Sequence, residues 1–349
     1  MAIIGSKEVS SLIKIGVIGC GQWGPNHIRI FTQLSDSEVL RCADPDKSRL
    51  SAVKKSYPHI QTTADYRDIL EDPAIDAVCI ATPTNSHYSL SMESLESGKH
   101  VLCEKPLALT PEQCEDLSVL AQKKNKVLMV GHVFLFNSKI TWLKEYIRSG
   151  DLGRVYYAYS TRTNLGPFRY DVNALWDLAP HDVSIFNYLF DSCPLSVSGR
   201  GHKCLGESLE DIAFATLEYP NNIMANLHVS WLDPKKMRQI TIVGDKKMVM
   251  WDDLDSDGPV KVYDKHVEKT NVYYETYGEF QLLSMEGSIT IPKIGISEPL
   301  KVQGRYFLDC VSGNTPPALA DAGKAEDVVR ALCAIQDSIE QDGVLVTIP

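Results

Sequence analysis

The chain has 349 residues, 44% of them hydrophobic and 23% charged, the composition of a folded enzyme with length for two domains. Its formal charge of −10 argues against a nucleic-acid backbone as partner, which needs a clustered basic face. No apolar run approaches the roughly 18 residues that cross a bilayer. The first residues also lack the basic flank and apolar core of a signal peptide, so a cytoplasmic protein without membrane or nucleic-acid partners is expected. Nine cysteines are scattered without C-x-x-C pairs. Cys20, Cys42, Cys79 and Cys103 sit in or just after apolar runs and read as reduced structural thiols, and no metal site is expected.

Short apolar runs at 13–18, 39–43, 77–81, 101–103 and 127–130 alternate with helical patterns at 25–35, 46–56, 65–71, 86–97 and 111–125. That alternation predicts βαβ units around a doubly wound parallel sheet covered on both faces. Thr110 and Pro111 mark one helix start. After Gly131 the chain becomes β-rich, with runs at 154–163, 195–200, 212–219, 223–232, 238–243 and 247–251. Asn221-Asn222 and Gly244-Asp245 read as hairpin turns. Helical stretches are expected at 177–190, near 302–312 and at 323–341, the last with an apolar stripe of Val328, Leu332, Ile335 and Ile339. The predicted organisation is an N-terminal Rossmann domain over 1–131 and an α+β domain with a large, mostly antiparallel open sheet over 132–322. The final helix is expected to pack back on the first domain.

The first strand runs into Gly19-Cys20-Gly21-Gln22-Trp23-Gly24 and then into a helix, the context in which G-x-G-x-x-G binds a pyrophosphate. Gly19 allows the tight turn, Gly21 the approach of the phosphates and Gly24 close helix–strand packing, while the helix N-terminus offers N–H groups to the anion. Asp44 lies twenty residues on, at the end of the second strand, where a carboxylate bonds an adenosine ribose and repels a 2′-phosphate. It equally suits a cap for the turn Asp44-Pro45-Asp46. NAD is therefore favoured over NADP, although Arg41, Lys47 and Arg49 are nearby cations. Thr82, Pro83 and Asn85, with His87 just beyond, follow another strand end and are expected to line the cofactor site.

Glu104-Lys105-Pro106 follows the 101–103 strand at the same edge. Lys105 there can stabilise charge on a substrate oxygen, and Pro106 fixes the local backbone, either peptide isomer being open. Asp177 and His181 are four apart, on one face of a helix, a spacing that lets a carboxylate orient a histidine base. Asp177 also reads as an N-cap that would put Pro180 in the first turn, and Asp182 as a rival partner for His181.

Taken together, the glycine turn, Asp44, Glu104-Lys105-Pro106 and Asp177-x-x-x-His181 resemble the Gfo/Idh/MocA oxidoreductases over nearly the whole chain. The resemblance implies hydride transfer between NAD(P) and a sugar or polyol carbon, with Lys105, Asp177 and His181 as the catalytic set and Pro106 as a candidate cis proline. Residues 24–29, 164–167 and 176–182 further resemble the branch acting on nucleotide sugars in surface-polysaccharide pathways. A UDP-sugar such as a UDP-N-acetylhexosaminuronate, oxidised at C3, is the implied substrate. Arg162, Asn164, Arg169 and Tyr306 are candidates for substrate contact beside the catalytic three. The relatives imply a homodimer or homotetramer. An inositol, polyol or free-sugar dehydrogenase of the same fold is the alternative, and an NAD-sensing regulator without chemistry a distant third.

Overall fold

The uninterrupted apolar runs of the first half become buried parallel strands, because helices cover the sheet on both sides. In the computed structural model, which describes residues 12–206, 208–267 and 284–348, these strands are β1 (Ile13–Ile18), β2 (Ser37–Ala43), β3 (Gln61–Thr63), β4 (Ala77–Ile80), β5 (His100–Cys103) and β6 (Leu128–Val130). Their order in the sheet is β3-β2-β1-β4-β5-β6, all parallel. Between them run α1 (Gly24–Gln33), α2 (Lys47–Ser56), α3 (Arg67–Leu70), α4 (His87–Glu96) and α5 (Pro111–Lys124). The order reverses between β1 and β4, so the loops after these two strands open a crevice at their C-terminal ends. Strand β3 escapes the sequence pattern because Gln-Thr-Thr at a sheet edge carries no apolar run.

The second unit is a nine-stranded sheet preceded by α6 (Ser138–Arg148). Its strands are β7 (Val155–Leu165), β8 (Ser196–His202), β9 (Ile212–Tyr219), β10 (Ile223–Ser230), β11 (Leu232–Gly244), β12 (Met248–Asp252), β13 (Val260–Val267), β14 (Ser284–Thr290) and β15 (Val346–Thr347). They lie in the order β14-β13-β12-β11-β7-β10-β9-β8-β15. Only the β7–β10 pair is parallel among them. Residues alternate as the pleat requires: Ala213, Ala215, Leu217, Ala225, Leu227 and Val229 join a buried core with α7 (Ala174–Phe190). The opposite face leaves Tyr157, Tyr159, Phe214 and Met224 substantially exposed.

Two helices close the chain, α8 (Pro299–Gly313) and α9 (Ala322–Glu340). They correct the expected domain limits. Met1–Gly131 and Leu300–Glu326 form one compact unit, His132–Pro299 and Asp327–Pro349 the other. The return to the first unit is made by α8, where a Cβ at Gly304 would lie 2.9 Å from Ile30 and Phe307 meets Phe31 edge-on. The stripe of α9 is instead absorbed by the second unit, whose core takes Val328, Leu332 and Ile335. Among the described residues no helix is long and apolar enough to cross a membrane.

Candidate active site

The glycine turn is built as its spacing requires. Gly19 has φ +94°, and a Cβ there would lie 2.5 Å from the Ala81 carbonyl. A Cβ on Gly24 would fall 2.0 Å from the Gly19 carbonyl oxygen, so helix and strand meet at a distance only glycine permits. Gly21 differs: nothing closer than Arg49 Nη1, at 3.5 Å, would meet its Cβ. Packing therefore does not demand glycine there, whereas a phosphate approaching the backbone does. Trp23, at the N-cap of α1, makes no capping bond through its side chain; Pro25 has no N–H and Asn26 N donates to the Trp23 carbonyl at 2.9 Å, so Gly24 N is the first-turn donor that an anion would meet. Gln22 and Trp23 are exposed beside it.

Asp44 is buried and fills the turn-capping role. Its Oδ2 accepts from Cys20 N at 2.8 Å, tying the glycine turn to β2, and its Oδ1 accepts from Asp46 N at 2.8 Å, closing the 44–46 turn. Oδ1 keeps a lone pair that can accept a further hydroxyl, while Oδ2 also accepts from Arg49 Nη1 at 3.5 Å. Arg49 lies 3.5 Å from both Asp44 and Asp46, and Arg41 is engaged with Gln61 and Asp72. After β4, Pro83 and Asn85 are exposed, while Thr82 Oγ1 accepts from Ser86 Oγ at 2.8 Å. His87 corrects its expected place against the cofactor: it is 1% exposed, with Nδ1 and Nε2 directed at the Pro106 and Thr82 carbonyls.

At the end of β5, Glu104 and Lys105 are both buried, and the Lys105–Pro106 bond is cis, as is Gly166–Pro167. Glu104 Oε1 lies 2.7 Å from His27 Nε2, and its Oε2 accepts from Lys105 N at 3.3 Å. The sequence reading missed His27. Its one signal is a polar residue on the buried face of α1, among Ile28, Ile30 and Phe31. Burial alone would depress the imidazole's pKa, but Cys79 and the bonded Glu104 carboxylate outweigh it and push it up to about 10. Burial would likewise raise the Glu104 carboxyl, yet His27 and Lys105 hold it below the ordinary carboxylate range.

The pair has a signed consequence for stability. His27 contributes in full below its ordinary value of 6.5 and loses that contribution as the pH climbs to about 10. Glu104 contributes above its ordinary value of 4.5 and loses its share on acidification. His27→Ala, which strands a buried carboxylate, is expected to cost roughly 3–5 kcal/mol in urea unfolding near neutral pH. The loss of stability on raising the pH from 6.5 toward 10 should flatten in the same variant.

In the second unit α7 starts earlier than expected, with Asn173 as its N-cap accepting from Trp176 N at 3.0 Å. Asp177 is therefore not the cap, and Pro180 lies inside the helix. Asp177 Oδ1 accepts from Arg169 Nη1 and its Oδ2 from Trp231 Nε1, each at 3.1 Å, which fixes the carboxylate. His181, one turn on, stands edge-on to Phe134 with ring centroids 5.0 Å apart. Asp182 is not its rival partner: both its oxygens accept from Arg162 at 2.9 Å.

That pair also corrects the expectation for Arg162, which is buried with its fork on Asp182 and its guanidinium 4.5 Å over the Phe134 ring. Asn164 turns its amide onto the Gly166 carbonyl. Arg169 is bound to Asp171 and Asp177, so it sets the Asp177 carboxylate rather than reaching out alone. Tyr306, in the first unit, accepts from Ala318 N and Leu319 N and holds that turn.

Two family models match the sequence. The oxidoreductase family with an NAD-binding Rossmann fold spans residues 13–132, and the GFO/IDH/MocA C-terminal domain spans 140–250. Together they take in more than half of the chain. The chain belongs to the Gfo/Idh/MocA family. Within it, the uncharacterized oxidoreductase YrbE of Bacillus subtilis is 27% identical over 61% of this chain but only 65% of its own length. The scyllo-inositol 2-dehydrogenase (NAD(+)) of the same organism is 28% identical over 64% of this chain and 68% of that protein. UDP-N-acetylglucosamine 3-dehydrogenase of Acidithiobacillus ferrooxidans is 27% identical over 66% of this chain and 71% of that protein. The structure of the latter aligns with a TM-score of 0.78 over 94% of this chain and 98% of that one, at 22% identity, a likeness of fold.

Proposed function

We propose that this Gfo/Idh/MocA protein is an NAD-dependent dehydrogenase acting on a secondary hydroxyl of a sugar carried on a nucleotide, with a UDP-N-acetylhexosaminuronate at C3 as the type of substrate. The observation that carries the reading is Lys105, at the ligand edge of β5 with its neighbour Glu104 neutralised by His27. Bound NAD supplies the hydride acceptor. Lys105 donates to the substrate oxygen and stabilises the charge that grows on it, and His181 accepts the hydroxyl proton. Asp177, whose carboxylate is fixed by Arg169 and Trp231, orients the lysine or the histidine. Exchange of the Lys105 and His181 roles would show as an acidic limb of the kcat/KM profile that follows Lys105, which would then have to lose its proton to act.

The resemblance of residues 24–29, 164–167 and 176–182 and the similarity to UDP-N-acetylglucosamine 3-dehydrogenase support the nucleotide sugar. The near-equal similarity to scyllo-inositol 2-dehydrogenase keeps a free polyol as the second reading. A comparison of KM for UDP-sugars and for the same sugars and inositols without the nucleotide decides between them: equal KM removes the nucleotide sugar.

NAD is favoured because a carboxylate, Asp44, ends β2 beside the glycine turn and the nearby cation Arg49 is shared by two carboxylates. Asp44→Ala is expected to raise KM for NAD about tenfold or more and narrow the preference over NADP, as read from initial rates with each. Self-association through the outer sheet face of Tyr157, Tyr159, Phe214 and Met224 is our proposal for quaternary structure. Sedimentation should show an even-numbered oligomer, and Tyr159→Glu should dissociate it.

A further inference from the structure

His87 opens α4 and is almost wholly buried. Its ring spans the two loops that leave adjacent strands at the ligand edge. Nδ1 lies 2.7 Å from the carbonyl of Pro106, the residue after Lys105, and Nε2 lies 2.9 Å from the carbonyl of Thr82, where the loop after β4 begins. Both partners are acceptors, so each contact needs a proton on its nitrogen, and the doubly protonated ring makes both bonds at once. We propose that His87 is a positioning residue that fixes the spacing between the cofactor loop at 82–85 and the backbone of Lys105, without touching cofactor or substrate. The inference rests on the proposed roles of Lys105 and of that loop.

Geometry supplies the reason for a histidine. β4 and β5 are hydrogen-bonded neighbours, yet the ladder stops at Ile80 and Cys103, before either functional loop begins. Beyond it, the imidazole ring links the two loops through its two nitrogens, and its rigid plane sets the distance between the two carbonyls. Thr82 is braced a second time by Ser86, and Glu104 on the other side of Lys105 by His27. The lysine thus sits between two fixed points, the Glu104 carboxylate and the Pro106 carbonyl.

Asparagine and glutamine separate the two contacts, because an Asn amide nitrogen falls near the Nδ1 position and a Gln amide nitrogen near Nε2. His87→Asn keeps the donor to Pro106 and should hold kcat within a few-fold, while NADH affinity by fluorescence titration falls about tenfold. His87→Gln keeps the donor to Thr82 and should bind NADH within a few-fold of wild type, while kcat falls about tenfold. That crossed pattern is the expected result. Parallel losses of kcat and NADH affinity in both variants, tracking their melting temperatures, would overturn the inference, as would failure of both variants to fold. Lys105→Ala run alongside separates the two levels. Activity retained there removes the catalytic reading itself, whereas an inactive Lys105→Ala beside uncrossed His87 variants removes only this inference.

Discussion

Lys105→Ala is expected to lower turnover by about 10²–10⁴-fold and leave NADH binding within a few-fold of wild type. The fold should survive, because Glu104 keeps its His27 partner at 2.7 Å and is not left as an unpaired buried charge. What is lost is the cation beside the substrate oxygen, where low dielectric makes it count most. Lys105→Arg should recover little, since a planar guanidinium cannot place a single donor where the compact ammonium does. His181→Gln should show a loss of similar size, because the amide fills the space beside Phe134 but accepts no proton at neutral pH. Steady-state rates and a melting curve for each variant check these statements, and near-normal turnover in either would remove that residue from the mechanism.

The second large effect separates two glycines that look alike in the sequence. Gly24→Ala puts a methyl 2.0 Å from a main-chain oxygen, which cannot swing aside as a side chain does. It should cost roughly 1–3 kcal/mol or more of stability and distort the turn, so NADH binding falls with it. Gly21→Ala meets only the flexible end of Arg49, at 3.5 Å, and stability should stay within about 0.5 kcal/mol. NADH affinity should nonetheless drop about tenfold or more, because the methyl occupies the approach of the pyrophosphate. Chemical denaturation with fluorescence titration measures both. Unchanged NADH affinity in Gly21→Ala would mean that the pyrophosphate is not held there.

The Rossmann half was legible because burial on both faces leaves a direct trace in sequence: unbroken apolar strands, spaced by amphipathic helices and opened by Gly19-x-Gly21-x-x-Gly24. Elements with weak traces were missed. Strand β3 is three polar residues, and α6 and β13 were passed over although Ile140, Leu143, Val260 and Val262 are buried. Sequence shows which residue types can act, but not which of them folding satisfies. Arg162, Asn164 and Tyr306 all carried suitable donors or acceptors, and each is engaged with a protein partner from another part of the chain or from its own turn. His27 and His87 were hidden or misassigned for the reverse reason. The partner of His27 lies 77 residues away and one of the two partners of His87 lies 19 away, at a distance no local pattern spans. The last helix had a correct stripe and the wrong neighbour, since an apolar face does not name the core that will cover it.

The most direct test is NADH absorbance during incubation of the purified protein with NAD and a panel of UDP-sugars and free polyols, with Lys105→Ala in parallel. The expected result is NADH formation with a UDP-sugar by the wild type and almost none by the variant. A wild-type protein that binds NADH yet forms none with any sugar or polyol, in either direction, would contradict the dehydrogenase reading.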